Sequence, residues 1–322
     1  MYFLFRQNNF FSVFLLMVIM LLISVVNAMI FQIIPLNITI LNISFTSFEI
    51  PGIWIYLFYM AIILIQSFYL NQIATQFKLS RVASLSIALG YILLHFAGAP
   101  NFIIQQVVLS NFFLIYSLHA LFNSYDKKVS LVHIFNIGLG VGIASLIYQG
   151  NLGMILWALV GLLLVRTFDL RETLLVFFGF ASPFFLLSTY LYVCNDVSIY
   201  HSGIIRFDEM FGNWSGLLGD TWYFLIGLLA FIFVLALINS HLILFKTTSR
   251  EKKFFSILYI QPIFSVLGIL FIKPVPFYHF INLIPCCAIL LGVLCVSFKR
   301  SLFSELILLL VCSLYITQLL II

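Results

Sequence analysis

Long apolar runs separated by short polar breaks follow one another along the whole chain. Most runs approach the roughly 20 residues that a helix needs to cross a bilayer. The pattern predicts an all-α, polytopic transmembrane helix bundle, built as a single integral membrane domain over 1–322. We place about eleven spans, near residues 10–32, 52–70, 82–97, 102–122, 130–147, 150–165, 173–193, 221–245, 254–272, 280–297 and 304–321.

Two runs and two breaks depart from this regular pattern. The runs at 82–97 and 150–165 are short, which predicts spans that are tilted or partly re-entrant. The two long breaks, near 33–51 and 194–220, are predicted extracytoplasmic loops. The first alternates Asn or Thr with Ile and indicates an extended or interfacial segment. In the second, residues near 204–212 predict a short amphipathic helix on the membrane surface.

Basic residues are distributed unequally between alternate breaks. One set of breaks holds 13 of the 15 Lys and Arg residues, and the other set holds only Arg206 and Lys273. Lys and Arg in short loops favour the cytoplasmic side of a membrane, whereas Asp and Glu contribute little to orientation. The bias predicts that the N-terminus lies inside.

Composition excludes a soluble domain. Hydrophobic residues make up 64% of the chain and charged residues 8%, against about 25% charged residues in a typical soluble domain. The net charge of +5 is therefore mainly a determinant of topology. No basic patch is interleaved with aromatic residues, so we expect membrane lipids and no nucleic acid as partners.

Small residues within the spans predict packing. Four of the five cysteines lie in apolar runs and are expected to be buried as small hydrophobic residues. Gly138 and Gly142 form a small-xxx-small pattern, which is typical of a close helix–helix contact in membranes.

Polar residues within the spans are few at mid-depth, chiefly Asn111 and Gln261. Ionisable and polar groups in a membrane are costly and therefore mark candidate functional positions. Because most such residues fall near the predicted outer boundary, we expect a polar site that opens at the outer face.

Asp208 and Glu209, on the 194–220 loop, are the candidate catalytic residues. Acids above a helix bundle can act as a general base or hold a divalent cation against a lipid diphosphate. Arg206 beside them could bind phosphate with both arms of its guanidinium. The alternative interpretation is a solvated loop that needs charge, so whether the protein is an enzyme stays open.

A second group of candidates would bind substrate. Lys273 and His279 flank two prolines, which impose extended backbone and would hold both side chains against the 194–220 loop. The alternative interpretation is a stiff turn between spans. Glu49, an acid on the first long outer loop, resembles the acid of membrane glycosyltransferases that use lipid-phosphate-linked sugars.

The break from Arg166 to Glu172 is dense in charge. On a helix, Arg166 and Asp169, or Asp169 and Glu172, would lie on one face. The alternative interpretation is a loop that sets topology and contains local ion pairs. This stretch, together with Gly179, Pro183 and the Lys273–Pro276 segment, resembles a family of multi-pass inner-membrane proteins from Bacteroidota. The resemblance implies a bacterial inner-membrane protein and implies no catalytic residues.

These observations lead to a functional hypothesis with two alternatives. The protein is expected to be a multi-pass protein of the bacterial inner membrane that acts on a lipid-linked or glycan substrate of the cell envelope at the outer face, as a glycosyltransferase or polymerase does. The first alternative is a small-molecule transporter or flippase with a path lined by Asn111, Gln261 and the membrane histidines. The second is a non-catalytic scaffold of an envelope complex.

Overall fold

A computed structural model describes residues 9–30, 39–40, 43–44, 52–80, 84–98, 106–125, 130–193, 222–239, 247–271 and 277–297, with residues 5, 305, 309 and 313. These residues form ten α-helices. Their bounds are α1 Phe10–Ile30, α2 Gly52–Gln76, α3 Ser86–Gly98, α4 Gln106–Asn123, α5 Ser130–Ile147, α6 Met154–Val165, α7 Leu170–Val193, α8 Trp222–Ile238, α9 Ser249–Leu267 and α10 Ile284–Ser297.

The helices follow the predicted spans in order. Each of the first ten predicted spans has a helix, and the eleventh, at 304–321, lies almost entirely outside the described residues. Five helical segments are long and apolar enough to cross a membrane: Leu57–Gln76, Gln106–Asn123, Leu170–Val193, Ser249–Phe271 and His279–Ser297. This confirms a helical protein with membrane-spanning character. The count of eleven and the orientation of the N-terminus stay predictions.

Elsewhere in the described chain, short segments depart from the α-helix. Two-residue strands, β1 Thr39–Ile40 and β2 Ile43–Ser44, pair antiparallel and give part of the 33–51 stretch the extended form that its alternation predicts. Three 3₁₀ segments interrupt the bundle, at Gln149–Asn151, Gly268–Phe271 and Phe277–Leu283.

Contacts between helices fix their relative directions. Gln66 of α2 bonds to Val108 near the start of α4, and Gln76 at the end of α2 bonds to His119 near the end of α4. The two helices are therefore parallel. By contrast, Ser86 at the start of α3 bonds to Gly292 in the second half of α10, so these two helices are antiparallel. Similar contacts make α2, α4, α6 and α10 run one way and α3, α5, α7 and α9 the other.

These directions define the two ends of the bundle. We call the end where α2, α4, α6 and α10 begin the polar end, and the opposite end the aromatic end. Their relative directions agree with the alternation that the sequence predicts for successive spans. All six described Lys and Arg residues lie at the aromatic end: Lys78, Arg166, Arg171, Arg250, Lys252 and Lys253.

Glycines bring α5 and α7 into close parallel contact. A Cβ added at Gly138 would overlap the backbone of Val176 and Phe180 on α7. Gly179 fills the reciprocal position, where a Cβ would lie 2.9 Å from Leu139 N. The packing contact that the small-xxx-small pattern predicts is therefore confirmed.

The aromatic end is filled by rings and aliphatic side chains. Phe122 and Phe254 are stacked with their centroids 4.4 Å apart, and Phe77 meets both rings edge-on. All three side chains are buried. The Arg250 guanidinium lies 5.1 Å from the centre of the Tyr125 ring, close enough for a cation–π interaction.

The three described cysteines are buried, as predicted. Cys286, Cys287 and Cys295 are free thiols inside α10, each almost inaccessible to solvent. Cys286 Sγ donates to the Leu258 carbonyl of α9, which joins the two helices.

Candidate functional site

Eight buried, uncharged polar side chains collect at the polar end, and we call this set the polar junction. They come from α4, the turn between α5 and α6, α9 and the Phe277–Leu283 segment. The set consists of Ser110, Asn111, Tyr148, Asn151, Gln261, Ser265, His279 and Asn282. Six of the eight side chains make hydrogen bonds between elements that are far apart in the sequence, so the junction ties the bundle together.

The polar junction lies below the expected membrane surface because α6 beside it is short. Helix α6 contains 12 residues, which correspond to about 18 Å of helix. The hydrocarbon core of a bilayer is about 30 Å thick. With the aromatic end of α6 at one boundary, the junction is recessed by about 10 Å from the other.

Irregular backbone surrounds this level. The three 3₁₀ segments meet where Gly268 packs on Gly150, and a Cβ at Gly268 would lie 3.1 Å from the His279 ring. Non-α backbone at membrane depth is tolerated only where it is buried in protein or lines a polar cavity. The three 3₁₀ segments and the buried polar side chains therefore lie at the same level of the bundle and form one feature.

His279 is the one predicted site residue that falls among the described residues. Its Nε2 lies 2.8 Å from the Ser265 backbone oxygen, and its Nδ1 lies 2.9 Å from the Tyr148 hydroxyl. A carbonyl oxygen can only accept, so Nε2 carries a proton, and in the neutral ring Nδ1 accepts from Tyr148. Both ring nitrogens are thus engaged with the bundle interior, and the role in substrate binding stays a prediction.

Asn151 connects three elements through its side-chain amide. Its Nδ2 donates to Ser110 Oγ at 2.9 Å and to the Ala144 carbonyl at 3.3 Å. Its Oδ1 accepts from Asn282 Nδ2 at 2.8 Å. Asn111 makes a similar link, since its Nδ2 donates to the Ile281 carbonyl at 3.2 Å.

A second chain of hydrogen bonds adjoins the junction through α4. Tyr91 donates to Gln66 Oε1, and Gln66 Nε2 donates to the Val108 carbonyl at 2.6 Å. His95 Nε2 lies 2.6 Å from the Tyr59 hydroxyl. All the side chains that form these bonds are buried, so α2, α3 and α4 are held together by polar contacts at this end.

The remaining predicted site residues, Arg206, Asp208, Glu209, Lys273 and Glu49, lie outside the described residues. The structure does show at which end of the bundle the neighbouring elements begin or end. The stretch that holds the first three follows α7, which ends at the polar end, and Lys273 and Glu49 precede Phe277 and Gly52, where elements of the polar end begin.

At the aromatic end, the charged break contains an ion pair between two residues that were not expected to share a helix face. Arg166 Nη1 lies 3.1 Å from Glu172 Oε1, and both side chains are largely buried. Asp169 instead begins α7, since its carboxylate accepts from Arg171 N at 3.0 Å. The expected pairs assumed a helix from Arg166 onward, but α7 begins only at Leu170.

The chemistry of the described part of the polar junction is that of neutral hydrogen-bonding groups. It offers amide, hydroxyl and imidazole groups, and among the described residues no cluster of three or more His, Cys, Asp or Glu side chains could hold a metal ion. Such groups suit the recognition of hydroxyl-rich or weakly charged ligands. Acid–base chemistry would require the predicted acids of the 194–220 stretch.

Sequence reasoning identified Asn111 and Gln261 but missed Gln66, Asn151 and Asn282. Asn151 and Asn282 stand close to the ends of apolar runs, where a polar residue is ordinary. A usable signal was the shortness of the run at 150–165, since a short span places its polar turn at membrane depth.

Comparison of the chain with protein-family models, with curated proteins and with solved structures found no match in any of the three.

Proposed function

We propose that the chain is a multi-pass protein of a bacterial inner membrane, with its polar end facing outward. The charge bias of the sequence, 13 basic residues against 2, favours this orientation. Helix contacts bring the six described members of this set together at the aromatic end, which agrees with the orientation.

The proposed activity is on a lipid-linked or glycan substrate of the envelope at this outer face, as in a glycosyltransferase or polymerase. The observation that carries it is the division of the bundle into a recessed polar junction and a closely packed aromatic end. A substrate with a lipid tail and a hydroxyl-rich head would enter from the outer leaflet and meet neutral donors and acceptors below the surface.

In this proposal, the residues beside the junction supply the chemistry. Asp208 or Glu209 acts as general base or holds a divalent cation, while Arg206 and Lys273 bind the lipid phosphate. Glu49 and His279 contribute to substrate binding, and His279 does so through the shape that it imposes on the junction. The flanking elements of all these residues belong to the polar end, which supports a shared site.

The test is the pool of lipid-linked glycans in a deletion strain. We expect lipid-linked intermediate to accumulate, with rescue by the wild-type protein and none by Asp208→Ala/Glu209→Ala. A matched variant, Asp169→Ala, removes an exposed acid at the aromatic end and should rescue. An unchanged pool in the deletion strain, at equal growth, would contradict the proposal.

The transporter or flippase alternative has one specific observation in its favour. Asn111 and Gln261, which that hypothesis predicts along the path, are both buried in the polar junction. A path would also have to cross the layer of Phe77, Phe122 and Phe254. Counterflow of labelled envelope precursors in proteoliposomes separates the two functions, since an enzyme of the outer face gives no flux across the bilayer.

A further inference from the structure

The orientation of two amides in the polar junction is fixed by carbonyl groups that can only accept. The Ala144 carbonyl requires the nitrogen of Asn151, so Asn151 Oδ1 faces Asn282 and receives its Nδ2. Asn282 Oδ1 therefore points away without a hydrogen-bond partner. The Ile281 carbonyl in the same way requires Asn111 Nδ2, which leaves Asn111 Oδ1 without a partner.

Two further oxygens without partners lie on the facing helix α9. Gln261 Oε1 and Ser265 Oγ are both buried and unpaired. Helix α9 faces the 279–286 stretch antiparallel, because Ser265 O meets His279 and Leu258 O meets Cys286. Gln261 lies on the same face as these two residues and so falls at the level of Asn282.

The junction thus contains four buried oxygen atoms that lack a donor, on side chains that are at most 2% exposed. An unpaired buried acceptor is costly, and natural proteins keep few of them. Four of them on elements that contact one another favour a ligand that presents positive charge or hydrogen atoms to them. Amide and hydroxyl oxygens are ligands of hard cations.

The charge of the ligand follows from the four side chains themselves, which are neutral amides and a hydroxyl. His279 beside them has both nitrogens engaged. A divalent ion would leave two uncompensated charges in a low-dielectric interior, which is strongly unfavourable. A monovalent ion coordinated by neutral oxygens beside interrupted helices is a known arrangement in membrane bundles.

We propose that Asn111, Gln261, Ser265 and Asn282 bind a monovalent metal cation of the sodium type, which locks α4, α9 and the Phe277–Leu283 segment together. The proposed ion site does not depend on the proposed activity. The protein would therefore require the ion for a rigid polar end whichever reaction or transport it carries out.

The test is thermal unfolding of the full-length protein in detergent, in sodium, potassium, lithium or choline chloride at one ionic strength. Saturating sodium should raise Tm by about 2–5 °C over choline, as expected for a ligand that binds only the folded state. Asn282→Leu should abolish the difference. Gln149→Ala, which removes a neighbouring amide nitrogen that is itself unpaired, should retain it.

A second variant keeps the proposal testable if Asn282→Leu does not fold. Gln261→Glu adds a carboxylate at nearly constant size, so half-maximal stabilisation should occur at a sodium concentration about ten-fold lower. Binding of radiolabelled sodium to the purified protein gives a direct readout. Equal Tm in all four salts, with no sodium bound, would show that water alone occupies the site and would overturn the proposal.

Discussion

At the scale of single residues, a few positions carry a free-energy cost that the fold tolerates. The buried Arg166–Glu172 pair connects the end of α6 with the first turn of α7. A buried charge is tolerated only while it is paired. Lys78 is costly for a different reason: its side chain is exposed, but its backbone adopts φ 55° just after α2, a conformation that favours glycine.

The ion pair gives the first prediction. Glu172→Gln leaves the Arg166 guanidinium buried without its counter-charge and should lower the free energy of unfolding by about 3 kcal/mol. The measurement is thermal unfolding in detergent. Asp169→Asn is the matched control, because an exposed Asn keeps the bond to Arg171 N and should change stability by only a few tenths of a kcal/mol. Equal losses in both variants would contradict the pairing.

The turn after α2 gives the second prediction. Leu79 N bonds to the Ala74 carbonyl at 2.9 Å across Lys78, which is the hydrogen bond of a Schellman motif. Lys78→Gly should stabilise the protein by about 1 kcal/mol, because glycine adopts a positive φ without a Cβ clash. Lys78→Ala removes the same charge without relieving the backbone and should give no gain. A gain in both variants would indicate an effect of charge.

At the scale of elements, how closely two helices pack is decided by the contacts between them and not by either helix alone. Helices α5 and α7 are parallel and approach closely at Gly138, Gly142 and Gly179. Gly142 packs against Phe180 and against Pro183, which is the proline inside α7. The same glycine spacing within a lone helix would carry no such meaning, since its effect depends on the facing backbone.

A pair of glycine substitutions tests this contact. Gly138→Ala places a methyl group against the Val176 carbonyl and should destabilise the protein by about 3 kcal/mol through separation of α5 and α7. Gly227→Ala, on α8, meets nothing within 4 Å and should stabilise by up to about 1 kcal/mol through helix propensity. Thermal unfolding of both variants is the measurement, and the same sign for both would contradict the packing.

The sequence predicted elements better than it predicted contacts. Ten helices were predictable because a membrane helix must be apolar over its whole length, so each apolar run stands out locally. The Arg166–Glu172 pair was not predicted, because it depends on where α7 begins. The polar junction was predicted only through Asn111 and Gln261, since the partners of Asn151 and Asn282 lie 41 and 131 residues away along the chain.

At the scale of the whole molecule, the two ends of the bundle differ in the side chains that they contain. One end contains buried neutral polar groups and interrupted helices, and the other contains stacked rings and all six described cations. The central claim is that this division is the inside–outside axis of the protein in its membrane. Both the proposed substrate at the outer leaflet and the recess of the polar junction depend on it.

The most direct test is the labelling of single cysteines with a membrane-impermeant thiol reagent in intact cells. The five native cysteines are first replaced by alanine, and Thr167→Cys or Val193→Cys then adds one exposed thiol beside the start or at the end of α7. We expect Val193→Cys to react in intact cells and Thr167→Cys to react only after permeabilisation. The reverse pattern would contradict the account, because it would place the polar end in the cytoplasm.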